Sequence, residues 1–247
     1  MRPFHVATPE PLPPPDRALG RLGPFLLSLA RTQGAWPPQL PQVVRRVADD
    51  AATLDASTST STNTEQAFEA GVLLADVMAD TGVDLVLATG SRDQIAGIVA
   101  AAAILNLEPV AAVGTTSAGN DWVALTVGVR DGLRVAGPYL GDPSKLLSDV
   151  GSLGLARLTG LLAQSAVRRT PVLLDGSPLV CAAALIAERV APGGNQWWLA
   201  GQAPPNPAAA GALADLALVP LLALDLALPI GADLALAVLT QAVDLVQ

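Results

Sequence analysis

The chain has 247 residues, 51% of them apolar and 15% charged, with a formal net charge of −8. That length suits one large domain or a domain with a small appendage, and the chain is too apolar for disorder. The acidic balance excludes a nucleic-acid surface, which needs clustered Lys and Arg, but admits a small anionic nucleotide or phosphate as partner.

Residues 1–16 are Pro-rich and read as an extended arm carrying His5, the single histidine. This stretch has no apolar leader, so the cytoplasm is the expected compartment. Residues 17–33 place Leu19, Leu22, Phe25, Leu26 and Leu29 at helical intervals before the stop at Trp36-Pro37-Pro38. Residues 41–50 contain a short strand candidate, VVRRVADD. Residues 51–64 form a Ser/Thr tract with little to bury, read as a flexible connection. A helix over 63–80 follows, capped by Asn63, with Phe68, Val72 and Ala75 on one face. A strand over 83–88 leads through Thr89-Gly90-Ser91 into a helix over 92–105, where Ser91 and Gln94 are spaced as a capping box.

Residues 109–113 read as the next strand, ending in the loop GTTSAGN. Residues 122–129 alternate as a strand, with a short helix as the alternative. Asp142 and Pro143 open another helix, and Gly151 to Gly154 separate it from one over 155–167. Pro171 starts the central strand, whose unbroken apolar run Val172, Leu173 and Leu174 suits a strand covered on both faces. Asp175 and Gly176 break it, Ser177 stands as a helix cap, and Pro178 takes the first helical position. The helix beyond carries Leu179, Ala182, Leu185 and Ile186 on its apolar face, with the lone Cys181 as a small buried hydrophobe. A strand over 197–200, a helix over 207–217, a strand over 218–224 and a final helix over 231–246 complete the chain. Asp215, Asp225, Asp233, Pro220 and Pro229 interrupt this last apolar region, so no membrane span is expected. Strands followed by helices define a Rossmann-like, three-layer α/β fold with a mostly parallel sheet.

Three turns at the carboxyl ends of predicted strands combine glycine with hydroxyls. They are Thr89-Gly90-Ser91, Gly114-Thr115-Thr116-Ser117 and Asp175-Gly176-Ser177. Such turns feeding helix N-termini hold phosphate or carboxylate, although Ser91 and Ser177 taken singly serve equally as caps. Arg92 is the cation beside the first turn, or else a solvated charge. Walker, dinucleotide-binding, nucleophile-elbow and HExxH motifs are all missing. With one histidine and one cysteine, triads, disulfides and zinc sites are excluded by inventory, and neither metal nor cofactor is expected. Catalysis would fall to carboxylates drawn from Asp49, Asp50, Asp93, Asp175, Asp225 and Asp233.

The segment TPVLLDG with its Ala-rich helix, preceded by DP…GSLGLARLTGLL, resembles the nicotinate-nucleotide:5,6-dimethylbenzimidazole phosphoribosyltransferases. LARTQGAWPP resembles that family's opening LxxIQGTxxP. The resemblance implies a homodimer with an α/β core over 65–230 and a small helical domain built from 17–50 and 231–247. It also implies a reaction in which a benzimidazole nitrogen, deprotonated by a glutamate, displaces nicotinate from nicotinate mononucleotide in cobalamin lower-ligand assembly. The positions it implies for substrate binding are Gly90, Ser91, Arg92, Gly114, Thr115, Gly151, Asp175 and Gly176. The family's GEGTGA motif corresponds to LALPIGADLALAV, with Ile230 at the glutamate position and Asp233 as a substitute carboxylate. Its MGIGNTT turn corresponds to Thr89-Gly90-Ser91-Arg92-Asp93 and its SHxSxEPG loop to residues 201–207. The stretch AADHG corresponds to Ala48-Asp49-Asp50-Ala51, and the Ser/Thr tract stands where a benzimidazole pocket segment would be. Two readings follow: a transferase of reduced or lost turnover, or a non-catalytic relative that binds a nucleotide or an active partner subunit.

Overall fold

Among the described residues of the computed structural model, which are 3–9, 19–20, 22–48, 63–90, 94–115, 119–224 and 230–246, four strands form one sheet. These are β1 (Val44–Ala48), β2 (Leu85–Thr89), β3 (Val172–Leu174) and β4 (Trp198–Ala200), all parallel and ordered as in the chain. The segment read as a strand near the N-terminus therefore pairs with the core as an edge strand, with Val44 beside Leu85. Register aligns Val86 with Val172 and Leu173 with Leu199.

Alternation along the strands sorts their side chains onto two apolar faces. Val86, Ala88, Val172, Leu174 and Ala200 join the larger core, with α2 (Thr64–Asp80), α3 (Gln94–Leu105), α7 (Leu153–Val167), α8 (Pro178–Val190) and α9 (Pro207–Asp215). Leu85, Leu87, Leu173 and Leu199 face the other way, against Phe25, Leu26 and Leu29 of α1 (Leu22–Gln33) and Ala235, Leu239 and Val243 of α10 (Gly231–Val246). The two ends of the chain thus supply the third layer. The arm over 3–9 has no regular structure, yet Phe4 packs edge-on against Phe68, and the Trp197 indole donates to the Ala7 carbonyl at 2.9 Å.

Several local signals act as expected. Asn63 accepts from the Gln66 N–H, and Asp142 from the Ser144 and Lys145 N–H groups at the start of α6 (Pro143–Val150); α7, expected from residue 155, starts two residues earlier, where Ser152 accepts from the Leu155 N–H. Three strand expectations are corrected. Residues 109–113 are a helix, α4 (Pro109–Val113): Glu108 is extended before it, Pro109 takes the first helical position, and Gly114 ends it at φ +69°. A five-residue apolar run has no periodicity to separate strand from helix, and here Ala112 and Val113 are buried while Val110 is exposed. Residues 122–129 lie inside α5 (Gly119–Ala136), so the helical alternative holds at greater length. Its inward positions Trp122, Leu125, Val129, Leu133 and Ala136 are three and four apart, a spacing the eight-residue window truncated. The strand expected over 218–224 shrinks to one parallel bridge, Gln202 with Leu222, next to Pro220, which has no N–H to donate.

Glycine lets two helix pairs meet backbone to backbone. A Cβ on Gly71 of α2 would lie 1.9 Å from the Arg157 carbonyl oxygen of α7, and one on Gly97 of α3 would lie 2.5 Å from the Leu179 nitrogen of α8. Arg169 and Ala217 follow α7 and α9 at φ +60° and +55°. These left-handed positions cost a non-glycine residue about 1 kcal/mol each. Among the described residues no helix is long and apolar enough to cross a membrane.

Candidate functional site at the carboxyl edge of the sheet

The turns after β2, β3 and β4 and the start of α10 meet at one edge, and Asp175 ties them together. Its side chain is fully buried. It accepts from the Gly90 N–H at 2.8 Å, the Ser177 N–H at 2.8 Å and the Ser177 hydroxyl at 2.7 Å. A carboxylate out of water needs such donors, and it takes them from the turn after β2 and from its own turn after β3. Ser177 is therefore not a side-chain cap: it stands at the N-cap position of α8, but its hydroxyl is committed to Asp175.

Small residues allow this convergence. A Cβ on Gly90 would approach the Ser177 hydroxyl to 2.6 Å. Gly176, at φ +82°, lies against the Gln202 carbonyl, where a Cβ would come within 2.9 Å. A Cβ on Gly231 would lie 2.5 Å from both the Asp175 carbonyl oxygen and the Gln202 side chain. The positive ends of α8 and α10 start at this edge, an arrangement that favours an anion. Arg46 of β1 pairs with Asp233 in the first turn of α10, with half and a third of their side chains exposed. Ile230 is 37% exposed, and its carbonyl accepts from Leu234 at 3.0 Å.

The remaining expected positions are dispersed. Gly114 does not end a strand; it closes α4, packs against Pro207 at the start of α9, and accepts from the Trp122 indole at 2.6 Å. Thr115 beside it is exposed. Gly151 is the left-handed C-cap of α6 at φ +71°, with its N–H on the Leu147 carbonyl. Ser91 and Arg92 lie outside the described residues, as do Asp49, Asp50, Asp93 and Asp225. Sequence reading missed Arg157, which is 8% exposed and donates to the Ala48 carbonyl at 3.1 Å, at the end of β1. The signal was available: an arginine inside the otherwise apolar run GLARLTGLL.

Cys181 is fully buried one turn into α8. Burial pushes its thiol well above the ordinary value of 9.0, and the Asp175 charge adds to the rise. A group raised in the fold contributes full stability below its unfolded value and loses it as pH climbs beyond. Stability is thus expected to fall above about pH 9. In the native protein at about pH 8, a thiol reagent should leave Cys181 unmodified and react with one equivalent only after denaturation. Native labelling at the denatured rate would contradict the burial of α8.

A parallel α/β sheet whose carboxyl edge gathers glycine turns and helix N-termini is the architecture of ligand-binding open sheets. Residues 42–247 match the family model described as phosphoribosyltransferase. The nicotinate-nucleotide–dimethylbenzimidazole phosphoribosyltransferase of Mycobacterium avium (strain 104) is 45% identical over 198 residues, covering 78% of this chain and 56% of its own. That of Mycobacterium ulcerans (strain Agy99) is 45% identical over 206 residues, covering 81% and 57%. The solved structure of the protein of that name from Thermus thermophilus aligns with a TM-score of 0.76 at 25% identity, covering 97% of this chain and 92% of that one. The chain belongs to the nicotinate-nucleotide–dimethylbenzimidazole phosphoribosyltransferase family. It spans little more than half the length of the curated relatives it matches.

Proposed function

We propose that the chain is a phosphoribosyltransferase-family protein of cobalamin biosynthesis that binds a nucleotide phosphate at the carboxyl edge and has reduced or lost transfer to dimethylbenzimidazole. One observation carries this reading: both described carboxylates at that edge are already engaged. Asp175 is held by Gly90 and Ser177, and Asp233 is paired with Arg46. A carboxylate whose oxygens already accept from other donors is not free to take a substrate proton, and the Ile230 side chain has no proton-accepting group. Loss of a general base lowers turnover by roughly 10² to 10⁴.

Anion binding asks less of the chain, because helix N-termini and turn N–H groups suffice. Val123 and Val127 are exposed one turn apart on α5, beside exposed Ile95 of α3. They supply an apolar surface for a second copy or an active relative, so a dimer belongs to this reading. Titration with nicotinate mononucleotide in a thermal-shift assay is expected to raise Tm in a saturable way. A flat response to nicotinate mononucleotide and to inorganic phosphate would remove nucleotide binding from the reading.

A further inference from the structure

Several donors at the carboxyl edge are already spent. The Gly90 and Ser177 N–H groups both donate to Asp175, whose buried charge opposes a second anion beside it. The helix α8 opens with Pro178, which has no N–H to offer. What remains is the first turn of α10, since the leading N–H groups of a helix find no partner within it. Gly231 begins that turn against the Asp175 carbonyl, so it belongs to the same edge. A phosphate arriving there faces the charges of Asp175 and Asp233, and a cation has to offset them.

The arginines around β1 differ in what they can reach. Arg157 is buried and donates to the Ala48 carbonyl at 3.1 Å. Arg45 is exposed on the face of Val47, and the need to keep a second sheet off an edge strand accounts for it. Arg46 stands beside Leu87 in register and emerges on the opposite face, the one that α10 covers, where it pairs with Asp233 in the first turn of that helix. Half of its side chain is open to solvent, so a ligand has access to it. Only Nη2 is engaged, by Asp233 Oδ1, and the guanidinium makes no other hydrogen bond among the described residues. An exposed ion pair of this kind adds little to stability once water screens it. Fastening α10 to β1 is therefore a weak reason for a charge in the middle of the strand.

Resting on the reading that this edge binds a nucleotide phosphate, we propose that Arg46 is the residue that anchors that phosphate. Nη2 stays on Asp233, and the remaining N–H groups of the fork take phosphate oxygens beside the first-turn N–H groups of α10. A guanidinium suits this role because it keeps its charge and presents its donors in a fixed plane that matches phosphate.

The test is calorimetric titration of the full chain with nicotinate mononucleotide and with the phosphate-free nicotinate riboside, repeated on Arg46→Gln, Arg46→Lys and Asp233→Asn. Arg46→Gln is expected to weaken the mononucleotide by about tenfold or more and to leave the riboside as it is in the native chain. Arg46→Lys should recover part of the loss, because the charge returns without the fork. Asp233→Asn breaks the same ion pair but keeps the cation and removes a repelling charge, so it is expected to bind the mononucleotide at least as well as the native chain. Equal loss in Arg46→Gln and Asp233→Asn would reduce the pair to a latch between β1 and α10 and overturn the proposal. Native affinity in Arg46→Gln, or an equal loss of riboside and mononucleotide, would overturn it too, while leaving nucleotide binding in place. A native chain that does not bind the mononucleotide would overturn the nucleotide reading, and this inference with it.

Discussion

Gly71→Ala is expected to lower the free energy of unfolding by about 3 kcal/mol or more, because Gly71 makes the tightest approach to neighbouring backbone among the described glycines. The added carbon would lie 1.9 Å from the Arg157 carbonyl oxygen and 2.8 Å from the Leu161 nitrogen, both backbone atoms of α7. No rotamer relieves a backbone clash, so α2 must move away from the helix it packs against. The reverse side of the crossing is just as close, since a Cβ on Gly160 would come within 2.1 Å of the Phe68 carbonyl oxygen. Retreat of α2 would uncover Phe68, Val72 and Ala75, which are buried in the larger core. Urea or guanidinium denaturation of the variant checks this. A loss below about 1 kcal/mol would mean that the crossing is looser than described.

Asp175→Ala is expected to cost about 3 kcal/mol, because the hydrogen bonds from Gly90 and from the N–H and hydroxyl of Ser177 end on one fully buried carboxylate. The Gly90 and Ser177 N–H groups would be left with nothing to donate to, and the turns after β2 and β3 would separate. Asp175→Asn should recover part of the loss, since its carbonyl oxygen keeps one side of the network while its NH₂ group opposes a donor on the other. Equal stability of the alanine variant and the native chain in chemical denaturation would show that the carboxylate is not what joins the two turns.

Legibility from sequence followed the range of the interaction. The β3–α8 unit was readable in outline because a strand of three apolar residues, a glycine turn and a proline at the first helical position are all local signals. Asn63 and Asp142 were readable for the same reason: a cap concerns residues two or three positions away. The short helix α4 was misread because five apolar residues carry no period. In α5 the alternation of half the element concealed the spacing of the whole. The site was less legible than the fold. Ser177 has the composition of a cap, and only the adjacency of Asp175 to Gly90, 85 positions earlier in the chain, turns its hydroxyl elsewhere. Gly71 meeting Arg157 and Gly231 meeting Asp175 are likewise contacts between distant segments, and nothing in either local sequence announces them.

The proposal is that this chain keeps a nucleotide-binding edge at which, among the described residues, no carboxylate is free to accept the proton. The most direct measurement incubates purified protein, at high concentration, with nicotinate mononucleotide and dimethylbenzimidazole, and follows α-ribazole phosphate by chromatography and mass. Product is expected to be absent, or slower by roughly 10² to 10⁴ than from a longer relative assayed alongside. Formation at the relative's rate would contradict the claim and require a base that neither Asp175 nor Asp233 supplies.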